Sequence, residues 1–117
     1  MSRYLHDHIV IASGVQVTAN GSSQTIGDPF KAGGYSNVVT HATQTAWTDG
    51  TFDLKLQARV NPSGGWVTIK SFSQLNGTTV DTLEEATGLG RELRSVYDAA
   101  AVTSGYTVDV VVIARNF

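Results

Sequence analysis

Residues 51–61, Thr-Phe-Asp-Leu-Lys-Leu-Gln-Ala-Arg-Val-Asn, alternate strictly between two kinds of side chain. The apolar set occupies every second position: Phe52, Leu54, Leu56, Ala58 and Val60. A helix would spread these side chains around its circumference, whereas a strand places them all on one side. The stretch therefore predicts a β-strand with one buried face and one face in water.

Turn sequences flank this strand on both sides. Asp49-Gly50 precedes it, and Asn61–Gly65 leads into residues 66–72, which should pair with it as a hairpin. The composition points the same way, because 14 Val and 14 Thr suit a pleated surface and twelve glycines supply turns. Short strand-like runs separated by turn sequences predict an all-β domain. Its expected form is an antiparallel β-sandwich of jelly-roll or immunoglobulin-like type with about seven or eight short strands.

Other segments have weaker patterns. His8–Ala12 and Val15–Ala19 predict two strands separated by a turn at Ser13-Gly14. Ser22–Gly34 predicts an irregular connection, because Pro and Gly interrupt it, with one short strand near Gln24–Ile26 as a candidate within it. Asp81–Thr87 holds two of the three glutamates and predicts one capped helical turn.

The last predicted strand, Thr107–Arg115, is apolar on both faces. One face carries Val108, Val110, Val112 and Ala114, and the other carries Val111 and Ile113. Since a sandwich strand usually keeps one face wet, the second face should be covered. The candidate covers are the segment Val80–Gly88, a neighbouring subunit, and the N-terminal arm with its Tyr4 and Leu5.

Length and charge set limits on the function. A chain of 117 residues and 12.4 kDa predicts a single domain over residues 1–117, with residues 1–8 as a candidate extended arm. The net charge of -2 gives no basic field for nucleic acid, and the longest apolar run, 110–114, is too short to span a bilayer. The absence of cysteine excludes disulfides, thiolate metal sites and a cysteine nucleophile. The N-terminus lacks the apolar segment of a secretory signal.

Residues able to carry out chemistry are sparse. His6 and His8 flank Asp7 and could form a metal site with His41, or they could belong to a solvated arm. The second interpretation is favoured, because a closed site needs three or four ligands and the spacing supplies two. No serine or carboxylate pattern forms a nucleophile or acid–base pair, so we expect no enzyme, no catalytic residues and no cofactor.

The aromatic residues are the remaining candidates for recognition. Trp47 and Trp66 lie at predicted strand ends next to turns, and Tyr106 begins the last strand. Half-buried aromatics at such positions can stack on sugars or on partner proteins, or simply cover the ends of the core. A carbohydrate-binding module is therefore the alternative function.

One long stretch, Leu54–Phe72, resembles a pattern in small tailed-phage structural proteins: an alternating strand with Leu-Gln, a Gly-rich turn, then Trp-x-x-Ile and Ser-Phe. The resemblance extends over roughly residues 35–117, with further matching pieces at 75–79, Leu93–Tyr97, Thr103–Tyr106 and Thr107–Ala114. Val80–Gly88 departs from the pattern, because it is more acidic.

This resemblance implies a virion protein of the capsid decoration (cement) type, which binds the outer surface of an assembled head and stabilises contacts between capsomers. A neck, tail or baseplate component is the related alternative. The implied partners are the major capsid protein, or another virion protein, and further copies of the chain, with a trimer favoured; nucleic acid and membrane are not expected. The candidate interface residues are Tyr4, Leu5, Trp47, Trp66, Tyr106, Val111 and Ile113.

Overall fold

Eight strands make up the computed structural model, which describes residues 5–77 and 80–116, with the side chains of residues 7–77 and 82–116. The strands are β1 Leu5–Val17, β2 Gly21–Lys31, β3 Asn37–Trp47, β4 Thr51–Arg59, β5 Val67–Ser71, β6 Val80–Thr87, β7 Glu92–Ala100 and β8 Tyr106–Asn116. The described residues contain no helix, and thus none long and apolar enough to cross a membrane.

Two four-stranded antiparallel sheets pack face to face. Sheet A has the order β1-β8-β3-β6, and sheet B has the order β2-β7-β4-β5. The pairs β1–β8, β2–β7, β3–β6 and β4–β5 are those of one long hairpin, rolled so that alternate pairs fall in alternate sheets. This is the jelly-roll form of the β-sandwich. The predicted fold class and the predicted β4–β5 hairpin are confirmed, and of the two sandwich types the strand order selects the jelly roll.

The core lies between the sheets and contains the side chains that the alternation indicated. Sheet B contributes Phe52, Leu54, Leu56 and Ala58, and sheet A contributes Val108, Val110, Val112 and Ala114. Val60 was wrongly placed in this set, because β4 ends at Arg59 and the Val60 side chain is 67% exposed in the following turn. The period-two pattern thus predicts the core only as far as the backbone stays paired.

Three local predictions are wrong, and each concerns an edge strand. Ser13-Gly14 is an irregularity inside the continuous strand β1, where the register with β8 shifts between Ala12 and Val15. The supposed irregular connection is the strand β2, which contains the candidate short strand Gln24–Ile26 paired with β7 and extends beyond it to Lys31. Its described burial is limited almost to Ile26. The supposed helical turn belongs to β6. Edge strands pair on one side only and bury few side chains, so their apolar alternation is weak.

Glu84 ties the edges of the two sheets together. It lies on β6 of sheet A and accepts hydrogen bonds from the Thr82 hydroxyl (2.6 Å) and from the amide of Ser73 (2.8 Å), just after β5 of sheet B. Lys70 of β5 adds an ion pair at 3.5 Å. The Thr82 hydroxyl, followed by the Ser73 amide, holds the pKa of the Glu84 carboxyl below its ordinary value.

Asp49 fixes one end of the sandwich. Its carboxylate accepts the backbone N–H groups of Thr103 (2.8 Å), Ser104 (3.1 Å) and Gly105 (2.9 Å), which form the loop before β8. These bonds, that of Thr103 foremost, lower the pKa of Asp49. The amide of Thr48 donates in turn to the Gly105 carbonyl at 2.9 Å. The turn before β4 and the loop before β8 therefore form one rigid unit.

Candidate interaction surface

The outer faces of the two sheets differ in chemistry. On sheet B, the outward side chains of β4 pair with those of β7: Lys55 contacts Asp98 at 2.7 Å, and Arg59 contacts Glu92 at 3.2 Å. A face covered by such ion pairs is readily hydrated and needs no partner. The described side chains of sheet A form no comparable row of ion pairs at its centre.

The centre of the outer face of sheet A is apolar. The register places Ile113 between His8 and Val39, and it places Val111 between Val10 and His41. Val10 is 57% exposed and Ile113 is 37% exposed, while Val39 and Val111 are half-buried. On the edge strand β6, Leu83 continues the row beside His41 and is 67% exposed. We call these five aliphatic side chains the apolar face: Val10, Val39, Leu83, Val111 and Ile113.

Charged groups lie at the two ends of the apolar face and are satisfied within the chain. At one end, the guanidinium of Arg115 contacts Glu85 at 2.6 Å and donates to the Asn37 side chain at 2.7 Å. At the other end, the Asp109 carboxylate accepts the backbone N–H of Gly14 at 2.6 Å. Among the described residues, the aliphatic side chains in the middle of the sheet are therefore flanked by two imidazoles, His8 and His41, and by charged groups that already have partners.

The second face of β8 is not covered by the segment Val80–Gly88, which was one of the expected covers. The segment Val80–Gly88 cannot cover β8, because residues 80–87 form a strand of the same sheet and lie beside β3. Residues 5–8 also lie within the sheet, where they pair with the end of β8. This part of the proposed arm is therefore a strand of sheet A. An aliphatic patch in the middle of a sheet, here with His41 between Val111 and Leu83, is unusual for a surface that meets only water.

The histidines are not gathered into one site. His8 lies on β1 and His41 on β3, with β8 between them, so their backbones are at least about 10 Å apart. The side chain of His6 lies outside the described ones. Among the described residues, no group of three His, Cys, Asp or Glu side chains is placed to hold a metal ion.

Three of the other predicted interface residues, Tyr106, Trp66 and Trp47, lie away from the apolar face. Tyr106 is buried, and its hydroxyl donates to the Thr51 carbonyl at 2.7 Å, so it cannot act as a surface platform. Burial raises its pKa. Trp66 is half-buried near the far end of sheet B. The guanidinium carbons of Arg59 and Arg94 lie 4.3 and 4.7 Å from its ring centroid.

Trp47 lies at the opposite end of the sandwich, beside a small cleft, and its indole N–H donates to the Gly50 carbonyl at 2.7 Å. Of the predicted interface residues whose side chains the structure describes, it therefore brings together only Val111 and Ile113. Tyr4 lies outside the described residues, and so does the side chain of Leu5, whose backbone pairs with Asn116.

Three members of the apolar face, Val10, Val39 and Leu83, are not recognisable from the sequence alone. Val10 stands in the run Ile9-Val10-Ile11, where periodicity does not show which side chain points outward. Val39 stands in a similar Val-Val pair, and Leu83 stands in the segment taken for a helix. A correct strand register for β6 would have identified Leu83, since it pairs with His41 directly across from Val111.

Comparisons with known proteins show likeness in fold. No family model and no curated protein sequence matches the chain. The SPBc2 prophage-derived protein YomS is similar over 97% of this chain and 96% of its own, with a TM-score of 0.54 and 14% identity. Part of the structure of infectious bursal disease virus, Gx strain, is similar with a TM-score of 0.64 and 8% identity, over 98% of this chain and 32% of the viral one.

Part of a xylanase structure is also similar in fold. The CBM22-1-GH10 modules of Clostridium thermocellum xylanase 10B, crystallised with xylohexaose, are similar with a TM-score of 0.54 and 14% identity, over 97% of this chain and 26% of that one. At such identities the likeness establishes the β-sandwich fold. It does not transfer an activity.

Proposed function

We propose that the chain is a non-enzymatic structural protein of a tailed-phage virion, of the capsid decoration type, which binds the outer surface of the head and stabilises contacts between capsomers. The apolar face carries the proposal, because it offers a preformed surface for protein contact on a rigid sandwich. Fold likeness to a prophage-derived protein along nearly the whole of both chains is compatible with this role. The virion is the corresponding location.

The first partner in this proposal is a second copy of the chain. The apolar face consists of aliphatic side chains with the imidazoles of His8 and His41 beside them, and the ion pair and hydrogen bond at its ends are already made. A copy of the same chain can therefore cover the aliphatic side chains without leaving a charge unpaired. In a trimer, three such faces would point toward a common axis, and the oligomer would bind a repetitive lattice with multiplied weak contacts.

Sedimentation of two matched variants tests the oligomer. Val10 on the apolar face is 57% exposed, and Val67 on β5 of sheet B is 64% exposed. We expect the wild type to sediment as a trimer at micromolar concentration. Val10→Asp should yield monomers, because each subunit would bury an unpaired carboxylate, and Val67→Asp should remain trimeric. A monomeric wild type, or equal effects of the two variants, would refute the role of this face.

Co-sedimentation with phage heads tests the larger assignment. Heads assembled from the major capsid protein of the same phage genome should pellet the wild-type chain in saturable amounts. Binding to neck, tail or baseplate assemblies in place of heads would overturn the decoration role and support a different virion position. The oligomer experiment is independent of this result, since it requires no capsid.

A further inference from the structure

The end of the sandwich next to Trp47 contains a cleft of about 200 Å³. It lies where β1 and β3 end and β8 begins, beside the Asp49-anchored loop. The side chains that line it and bear on its chemistry are Gln16, Thr18, Trp47, Thr48, Ser104 and Thr107. Among the residues that the structure describes, no acidic, basic or histidine side chain lines this cleft.

The lining combines a flat apolar ring with uncharged polar groups. Hydroxyl and primary amide groups can each donate and accept hydrogen bonds. No hydrogen bond to another described residue is made by the side chains of Thr18, Thr48, Ser104 or Thr107, nor by that of Gln16, so their capacity remains available to a ligand. An uncharged ligand with many hydroxyl groups is complementary to this set.

The cleft is rigid before any ligand arrives. The indole N–H of Trp47 is held by the Gly50 carbonyl at 2.7 Å, which fixes the orientation of the ring. Asp49 holds the backbone of Ser104 and Gly105 on the facing wall. Preorganisation reduces the entropy that binding must otherwise overcome.

We propose that this cleft binds a single neutral sugar ring, such as the terminal residue of a glycan. The C–H groups on one face of a pyranose would pack on the Trp47 ring, as aromatic rings pack on apolar surfaces while their polar edges stay hydrogen-bonded. The sugar hydroxyls would exchange hydrogen bonds with Gln16 and with the threonine and serine hydroxyls. A shallow site of this size binds weakly by itself, and several copies in one particle would raise the avidity.

The site is distinct from the apolar face. Along β8, Thr107 at the cleft is four residues from Val111, which is about 13 Å of strand. Trp66 lies beyond the other end of β4 and provides an internal reference in the same molecule. The two indole N–H groups can therefore be followed separately.

The test is an NMR titration of the full chain with neutral saccharides: glucose, galactose, mannose, xylose, N-acetylglucosamine, N-acetylgalactosamine and xylohexaose. We expect at least one to shift the indole N–H of Trp47 and the amides of Ser104 and Gly105 saturably, while the indole of Trp66 stays in place. Failure of every saccharide to produce a saturable shift at Trp47, or equal shifts at both tryptophans, would overturn the proposal.

Variants at the cleft provide the second arm of the test. Gln16→Ala, at an exposed position, should raise the dissociation constant for the sugar about tenfold and leave the amide spectrum of the core unchanged. Trp47→Ala should abolish binding, and Trp66→Ala should leave it intact. Unchanged affinity in Gln16→Ala and Trp47→Ala, with their folds retained, would refute the assigned cleft even if a sugar binds elsewhere.

Discussion

A single methyl group added at Gly105 is expected to destabilise the fold by about 3–5 kcal/mol. Gly105 has a φ of +93°, in the region that favours glycine. A Cβ atom there would overlap the carbonyl oxygen of Val17 and would lie 2.9 Å from its carbon and 3.1 Å from the Cα of Thr18. These are backbone atoms at the end of β1, so no side-chain rotation can relieve the overlap.

Gly88 separates the two contributions to this loss. It also has a positive φ, +68°, but an added Cβ would have no neighbour within 4 Å. Gly88→Ala should therefore cost only the conformational strain, about 1–2 kcal/mol. In Gly105→Ala the strain is joined by displacement of the β1 end and by misalignment of the Gly105 amide with Asp49, each worth at least about 1 kcal/mol.

Urea unfolding of the wild type and both variants, followed by tryptophan fluorescence, measures the difference. Equal slopes with urea would show that the midpoints report stability alone. If the two variants lose stability within about 0.5 kcal/mol of each other, the close approach of Gly105 to the backbone at the end of β1 is refuted. A Gly105→Ala chain that fails to fold while Gly88→Ala folds agrees with the larger loss.

Three further predictions use standard stability measurements. Leu56→Ala should cost about 2–5 kcal/mol in urea unfolding by leaving a cavity, whereas Val60→Ala should cost less than about 0.5 kcal/mol; similar losses would contradict the end of β4 at Arg59. Because the folded-state pKa of Glu84 lies below 4.5, its contribution is present above that pH and is lost as the pH falls through the folded pKa. Glu84→Gln should thus lose about 1 kcal/mol at pH 7 and approach wild-type stability near the acid end; a constant difference across the pH range would contradict this. Replacing His6 and His8 with alanine should leave the melting temperature unchanged with or without a chelator, and a chelator-dependent drop in the wild type would reveal a metal site.

The parts of the fold that sequence could predict are those whose side chains meet two environments. β4 has core on one side and water on the other, so its alternation is strict and its faces are correctly assigned. β2 and β6 are edge strands, and their positions depend on pairing with β7 and β3, which a local pattern does not encode. The interaction surface also depends on strand pairing, which a local pattern does not encode.

The candidate surface could be predicted only in part for the same physical reason. Val111 and Ile113 are recognisable because β8 is apolar on both faces. Val10 and Leu83 become part of the surface only through the register that places them beside Val111 and His41. A patch shared by four strands is a property of the sheet, and no single segment displays it.

The symmetry of the assembly links the apolar face to the cleft. If three apolar faces surround an axis parallel to the strands, rotation about that axis places all three clefts at the same end of the particle. A twofold axis that lies in the interface between two such faces, perpendicular to the strands, would instead place the two clefts at opposite ends. A trimer would therefore present three sugar sites to one glycan-coated surface, and a dimer of that kind would present one. Binding to a dense glycan layer should consequently exceed single-site affinity in the trimer and fall to the single-site value in Val10→Asp, because avidity requires simultaneous engagement of linked sites.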